Sequence, residues 1–205
     1  MDIKAEIDRA MKACSDLEQL VVQHEPLVLD ERGALLVGHW NLMIEYHTAI
    51  TLLLKNELCG SAFALVRPMV EAWLGAHLVV SADNKVVESI RKDTYRTNFE
   101  DVSSQIDEAF NLSFFKGTLN KRVQKAMHSY THSGLRQIAR RFEGTTIKQS
   151  FTDAEKWDTV RLSTLALAMT TVLVTKTLRF DVEWTAANHL CSAYSNELNR
   201  PNSPA

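Results

Sequence analysis

Between Ser61 and Ser81 the chain reads SAFALVRPMVEAWLGAHLVVS, apolar nearly all round at helical spacing. A helix with no polar face has to be covered on every side, by lipid or by other helices. Arg67, Glu71 and His77 interrupt the run and speak against a membrane span. A second apolar-leaning stretch, Leu162 to Val174, passes through Ser and Thr and is short for a span. Both are expected to be buried helices, with 61–81 at the centre of a bundle.

The remaining periodicity supplies helices to surround it. Ile3, Ile7, Ala10, Met11, Cys14, Leu17 and Val21 recur at three- and four-residue steps, so residues 2–23 read as an amphipathic helix ended by His24-Glu25-Pro26. Asp30 caps a second helix reaching about Leu58. Asp83 opens a fourth to about Phe110, with Val87, Ile90, Phe99, Val102 and Ile106 inward, and NLSFFKGT reads as a turn. The fifth spans about 118–133 and ends at Gly134. After the polar connection EGTTIKQSFTDAE, Thr152 caps a sixth helix over 153–179, and Asp181 a seventh to about Leu198. With only seven glycines and four prolines there are few turns for a β architecture. The expectation is an all-α bundle of about seven helices in one domain, 1–198, followed by a disordered tail, 199–205.

Three cysteines, Cys14, Cys59 and Cys191, stand far apart with no C-x-x-C pair. They read as reduced thiols in a cytoplasmic protein, not as a disulfide framework or zinc knuckle. The N-terminus alternates charged and apolar residues and lacks the apolar run of a signal peptide.

Charge is distributed unevenly. The net charge is −2, yet residues 111–150 hold eight cations and one acid, Glu143. A basic island in an acidic chain points to an anionic partner at one place, the segment 116–141. On a helix at about 100° per residue, Lys121, Lys125, His128 and His132 fall within about 60° of one another, with Arg122 on the flank. Leu119, Val123, Ala126 and Tyr130 gather on the opposite side, toward the core. Such a ridge reads in two ways. It is a solvated basic face, or it is a site where an imidazole exchanges protons while cations hold a phosphate. His128 and His132 also have the i, i+4 spacing of a shared metal, but Ser, Tyr and Thr lie between them, without the Glu of H-E-x-x-H. No metal or cofactor is expected. The absence of a Glu-x-x-His pair also argues against a di-metal carboxylate bundle.

The second constellation is Arg67 and Glu71, four apart on the apolar helix, beside Pro68. It reads as a mostly buried ion pair or as an anion-binding arginine in a crevice, which His39 and His47 could line from the second helix. Pro68 removes a backbone donor and predicts a kink or break there. His77 and His189 read as structural.

ALVRPMVEAWL, followed some sixty residues later by HSYTHSG, resembles a group of uncharacterised bacterial helical proteins that is often compared with the HEPN superfamily. The resemblance implies a helical bundle, a homodimer and metal-independent RNase activity of the toxin–antitoxin or antiphage kind. The HEPN signature, an Arg followed by four to six residues and a His, is matched by Arg122 and His128, although Val123 stands where active members usually carry a polar residue. By this resemblance His128 is the acid–base group and Arg122 stabilises the phosphate. Lys121, Lys125 and His132 hold RNA, with Arg67 and Glu71 as a further binding pair. The expected function is a HEPN-like endoribonuclease; the alternative is a non-catalytic helical module that binds an anionic ligand, nucleic acid or protein partner. Expected partners are RNA, a second copy of the chain and an antitoxin or other protein, with no membrane.

Overall fold

Side-chain caps set where the helices begin. Asp2, Asp30, Asp83, Asn98 and Asn120 each accept a hydrogen bond from a backbone N–H of the following first turn. Thr152 and Glu155 form a reciprocal capping box. The computed structural model describes residues 2–24, 27–95, 98–132, 134–147 and 149–198. Among them it holds ten helices: α1 (Ile3–Val22), α2 (Glu31–Lys55), α3 (Cys59–Ser81), α4 (Asn84–Arg91), α5 (Phe99–Ala109), α6 (Phe115–Thr118), α7 (Lys121–Thr131), α8 (Leu135–Ala139), α9 (Asp153–Thr177) and α10 (Asp181–Leu198). A two-residue antiparallel pair, β1 (Phe142–Glu143) and β2 (Thr146–Ile147), turns at Gly144, whose φ of +62° suits glycine.

The protein is all-α, but ten helices replace the expected seven, for local reasons. The expected helix 83–110 is two. Asp93 takes a left-handed φ of 54°, and the Ser89 carbonyl accepts from the amides of Thr94 and Tyr95, closing α4. Asn98 then caps α5 afresh. NLSFFKGT, expected as a turn, contains α6. The Asp107 carboxylate accepts from the amides of Phe114, Phe115 and Lys116 at 3.0–3.1 Å, which seats that turn and places Phe115 wholly in the core. The helix expected over 118–133 is shorter, and α8 follows Gly134. The polar connection carries the β pair. The expected tail, 199–205, lies outside the described residues.

Centrally placed as expected, α3 packs along α2 and also against α4, α5, α7 and α9. Its Trp73 and Leu74 are fully buried. It is long and apolar enough to cross a membrane, and more than half of its most apolar window is buried within the protein. The Ser- and Thr-bearing α9 is buried too. The hydroxyls of Thr164, Thr170, Thr171 and Thr175 each donate to the carbonyl four residues back, so none enters the core unsatisfied. His47 lies in the core instead of a crevice, its ring nitrogens 3.0 Å from Ser163 Oγ and 3.2 Å from the Ala10 carbonyl, which ties α1, α2 and α9 together. Burial lowers the pKa of His47 and of His77 to about 4.

Pro68 does not end α3, contrary to the break considered from sequence. It denies the Ala64 carbonyl its helical donor. The Thr131 hydroxyl of α7 stands 3.3 Å from that carbonyl and 2.9 Å from the carbonyl of Met127, within reach of both.

Candidate functional site

The seat of α7 on α3 brings the two sequence constellations together. Met127 is buried, and the ring of Tyr130 lies 5.3 Å from that of Phe63 on α3. With those residues turned inward, His128 stands over Arg67. Arg67 Nη1 is 2.9 Å from His128 Nδ1, and Arg67 Nε is 3.0 Å from Glu71 Oε1. His132 packs against His128, ring centroids 4.4 Å apart, and the guanidinium lies over the Phe99 ring at 5.5 Å. Side-chain exposure is 27% for Arg67 and 40% for Glu71, so the pair interacts as expected and is partly covered, not enclosed. The reason is position: α7 covers only one side of it.

A guanidinium only donates, so His128 Nδ1 accepts, and the proton of the neutral ring sits on Nε2. Among the described residues, the hydrogen bonds of Arg67 engage Nε and Nη1 and leave the Nη2 donors for a ligand. Arg67 therefore does three things at once. It is braced by a carboxylate, it sets an imidazole tautomer, and it presents charge to solvent.

The rest of the expected ridge divides. Lys121 is exposed and stands 3.6 Å from Glu100 Oε2; Lys125 and His132 are exposed. Arg122 is exposed and lines a separate open groove of about 410 Å³ with Lys116, Lys121, Glu100 and Ser103. Six residues along a helix turn a side chain by about 240° and advance it about 9 Å, so Arg122 and His128 point to different places. His77 is in the core, and His189 is exposed.

A cleft that the sequence only hinted at lies on the other side of Glu71. It measures about 280 Å³ and is lined by His39, Tyr46, Glu71, Gly75, Asp93 and Tyr95, among others. The His39 ring rests against Gly75; a Cβ there would stand 2.5 Å from His39 Cε1. Among the described residues His39 Nδ1 is buried without a hydrogen-bond partner, and burial lowers the pKa of the ring. The available signal was Gly75 in the interior of an apolar helix, where a glycine marks a close approach. Among the described residues, no group of three or more His, Cys, Asp or Glu is gathered closely enough to hold a metal ion.

Fold and site together define an all-helical protein whose central helix presents an Arg–Glu pair to a histidine pair from a later helix. The chain belongs to a family of unknown function, DUF6988, which it matches over residues 40–199. That span contains Arg67, Glu71, Arg122, His128 and His132. No curated protein and no solved structure matches the chain.

Proposed function

We propose that the protein is a HEPN-like endoribonuclease needing no metal, with Arg67 and His128 as its reactive pair. The observation that carries this reading is the 2.9 Å contact between Arg67 Nη1 and His128 Nδ1. RNA carries its own nucleophile. Attack of the 2′-oxygen on the adjacent phosphorus breaks the P–O5′ bond and leaves a 2′,3′-cyclic phosphate and a 5′-hydroxyl. One proton must leave O2′ and another must reach O5′. His132 accepts the proton of O2′ and the imidazolium so formed delivers a proton to O5′, while the Nε2–H of His128, oriented by Arg67, donates a hydrogen bond to the phosphate oxygens. Arg67 stabilises the negative charge that grows on the phosphate oxygens. Lys125, with Lys121 and Arg122 in their own groove, holds the flanking backbone. In this reading Arg67 takes the phosphate-stabilising role that the HEPN spacing gives to Arg122.

The setting we infer is a cytoplasmic homodimer acting as a toxin or antiphage effector, held in check by an antitoxin or similar partner. The separation of Arg122 from His128 favours a second reading, a non-catalytic module whose Arg67 binds an anionic ligand. Single-stranded RNA incubated in EDTA with wild-type or His128→Ala protein decides between them. Cleavage by the wild type alone supports the nuclease. Equal cleavage by both means a contaminant, and anion binding that survives His128→Ala without cleavage supports the module.

A further inference from the structure

We propose that the cleft between α2, α3 and the α4–α5 connection binds the guanine base of an RNA nucleotide whose phosphate lies on Arg67 and His128. The inference rests on the nuclease reading and adds a base preference to it. Glu71 is the residue shared by both places: its Oε1 braces Arg67, and its side chain lines the cleft. Polarity is therefore divided across a single carboxylate. On one side stand a guanidinium and two imidazoles, which suit a phosphate. On the other, the charged lining of the cleft is two carboxylates, Glu71 and Asp93, which repel one.

What a carboxylate accepts is N–H donors. Among the described residues, no side-chain hydrogen bond or ion pair engages Asp93, and its left-handed backbone turns it out of α4 at the rim of the cleft. Guanine alone of the four RNA bases offers two adjacent donors, N1–H and the N2 amino group, to the two oxygens of one carboxylate. Adenine and cytosine place a ring acceptor beside their amino group, and uracil flanks its single N–H with two carbonyls. Tyr46 and Tyr95 supply aromatic faces for a planar ring. The ring of His39 forms part of the wall. At about 280 Å³ the cleft lies just below the ~300–1,000 Å³ usual for small-molecule sites, room for a base and not for a longer ligand.

Calorimetric titration of the full chain in EDTA with 5′-GMP, AMP, CMP and UMP tests this. GMP should bind about tenfold or more tighter than the others, the discrimination of one good bidentate contact. Asp93→Asn, an exposed change that leaves the fold intact, should erase the preference by turning an amide N–H toward the guanine donors. Gly75→Ala, which drives the His39 ring from its seat, should weaken GMP several-fold; should it unfold the chain, Asp93→Asn carries the test. Equal affinity for all four nucleotides overturns the proposal. So does spermidine binding that Asp93→Asn removes while GMP is unaffected, because the cleft would then be a polycation site. Mapping of cut ends separates the two readings. RNA cut without base preference overturns the guanine subsite and leaves the nuclease. Preferential GMP binding by a protein that cuts no RNA upholds the subsite and overturns the nuclease.

Discussion

Thr131 of α7 stands 3.3 Å from the carbonyl of Ala64, an acceptor that Pro68 has left without its helical donor. The proline thus opens a point of attachment for the next helix, one turn from Arg67, and α7 takes it three residues after His128. The Thr131 proton is shared with Met127, so the gain is modest. Thr131→Val should cost about 0.5–1 kcal/mol in urea unfolding. In a Pro68→Ala background, where residue 68 again donates to Ala64, the same substitution should cost less. Equal costs in both backgrounds would show that Ala64 does not use the hydroxyl.

The proposed reactive pair, Arg67 and His128, is separable from the sequence motif by mutation. Arg67→Ala and His128→Ala should each lower RNA cleavage by about 10²–10³-fold. Arg122→Ala should leave the cleavage rate at saturating RNA near wild type and reduce the salt slope of RNA binding by about one. If Arg122→Ala is as damaging as His128→Ala, the HEPN assignment of Arg122 is right and that of Arg67 is wrong.

Breaking the Arg67–Glu71 pair should be cheap. A fully buried pair would lose about 3–5 kcal/mol with one partner removed. At 27% and 40% side-chain exposure, solvent screens the pair, and Arg67→Met should cost about 1 kcal/mol or less. A melting curve displaced by several times that amount would place the pair in a dry environment.

Acid should destabilise the protein through His47 and His77. Burial holds both rings neutral, with pKa values near 4, whereas the unfolded chain takes up protons near 6.5. The unfolded state therefore binds more protons across that window, and stability present above pH 6.5 is lost as the pH falls toward 4. Each ring contributes on the order of 3 kcal/mol to the fall between pH 7 and 4. Urea midpoints across that range should show a decline that His77→Phe makes shallower. A flat profile in the wild type would mean that neither ring is held neutral by the fold.

The parts of this fold that were legible in sequence are those governed by spacing alone. The amphipathic face of α1, the all-round apolarity of α3 and the Thr152 cap all survive in the structure. The α4–α5 break was marked only by phase, since the nine residues from Ile90 to Phe99 turn a helix by about 180° and put the two apolar faces on opposite sides, while Asp93, not a glycine, makes the turn. α6 was hidden because its stabilising carboxylate, Asp107, precedes it by several residues in the previous helix. For the site, each half was readable and their union was not. Arg67 and Glu71 share a face by local geometry, as do His128 and His132, but helical spacing says nothing about which face meets which. Arg122 drew attention because it lies near His128 in sequence, while the arginine that reaches the imidazole comes from 61 positions earlier.

That interval sets an order of events during synthesis. Arg67 leaves the peptidyl-transferase centre 61 residues before His128, about 3–12 s earlier at ~5–20 residues per second. A product broken off before α7 carries an arginine with no imidazole to orient. The Arg67–His128 contact is thus a late one, formed only once α7 has been made and has packed onto α3.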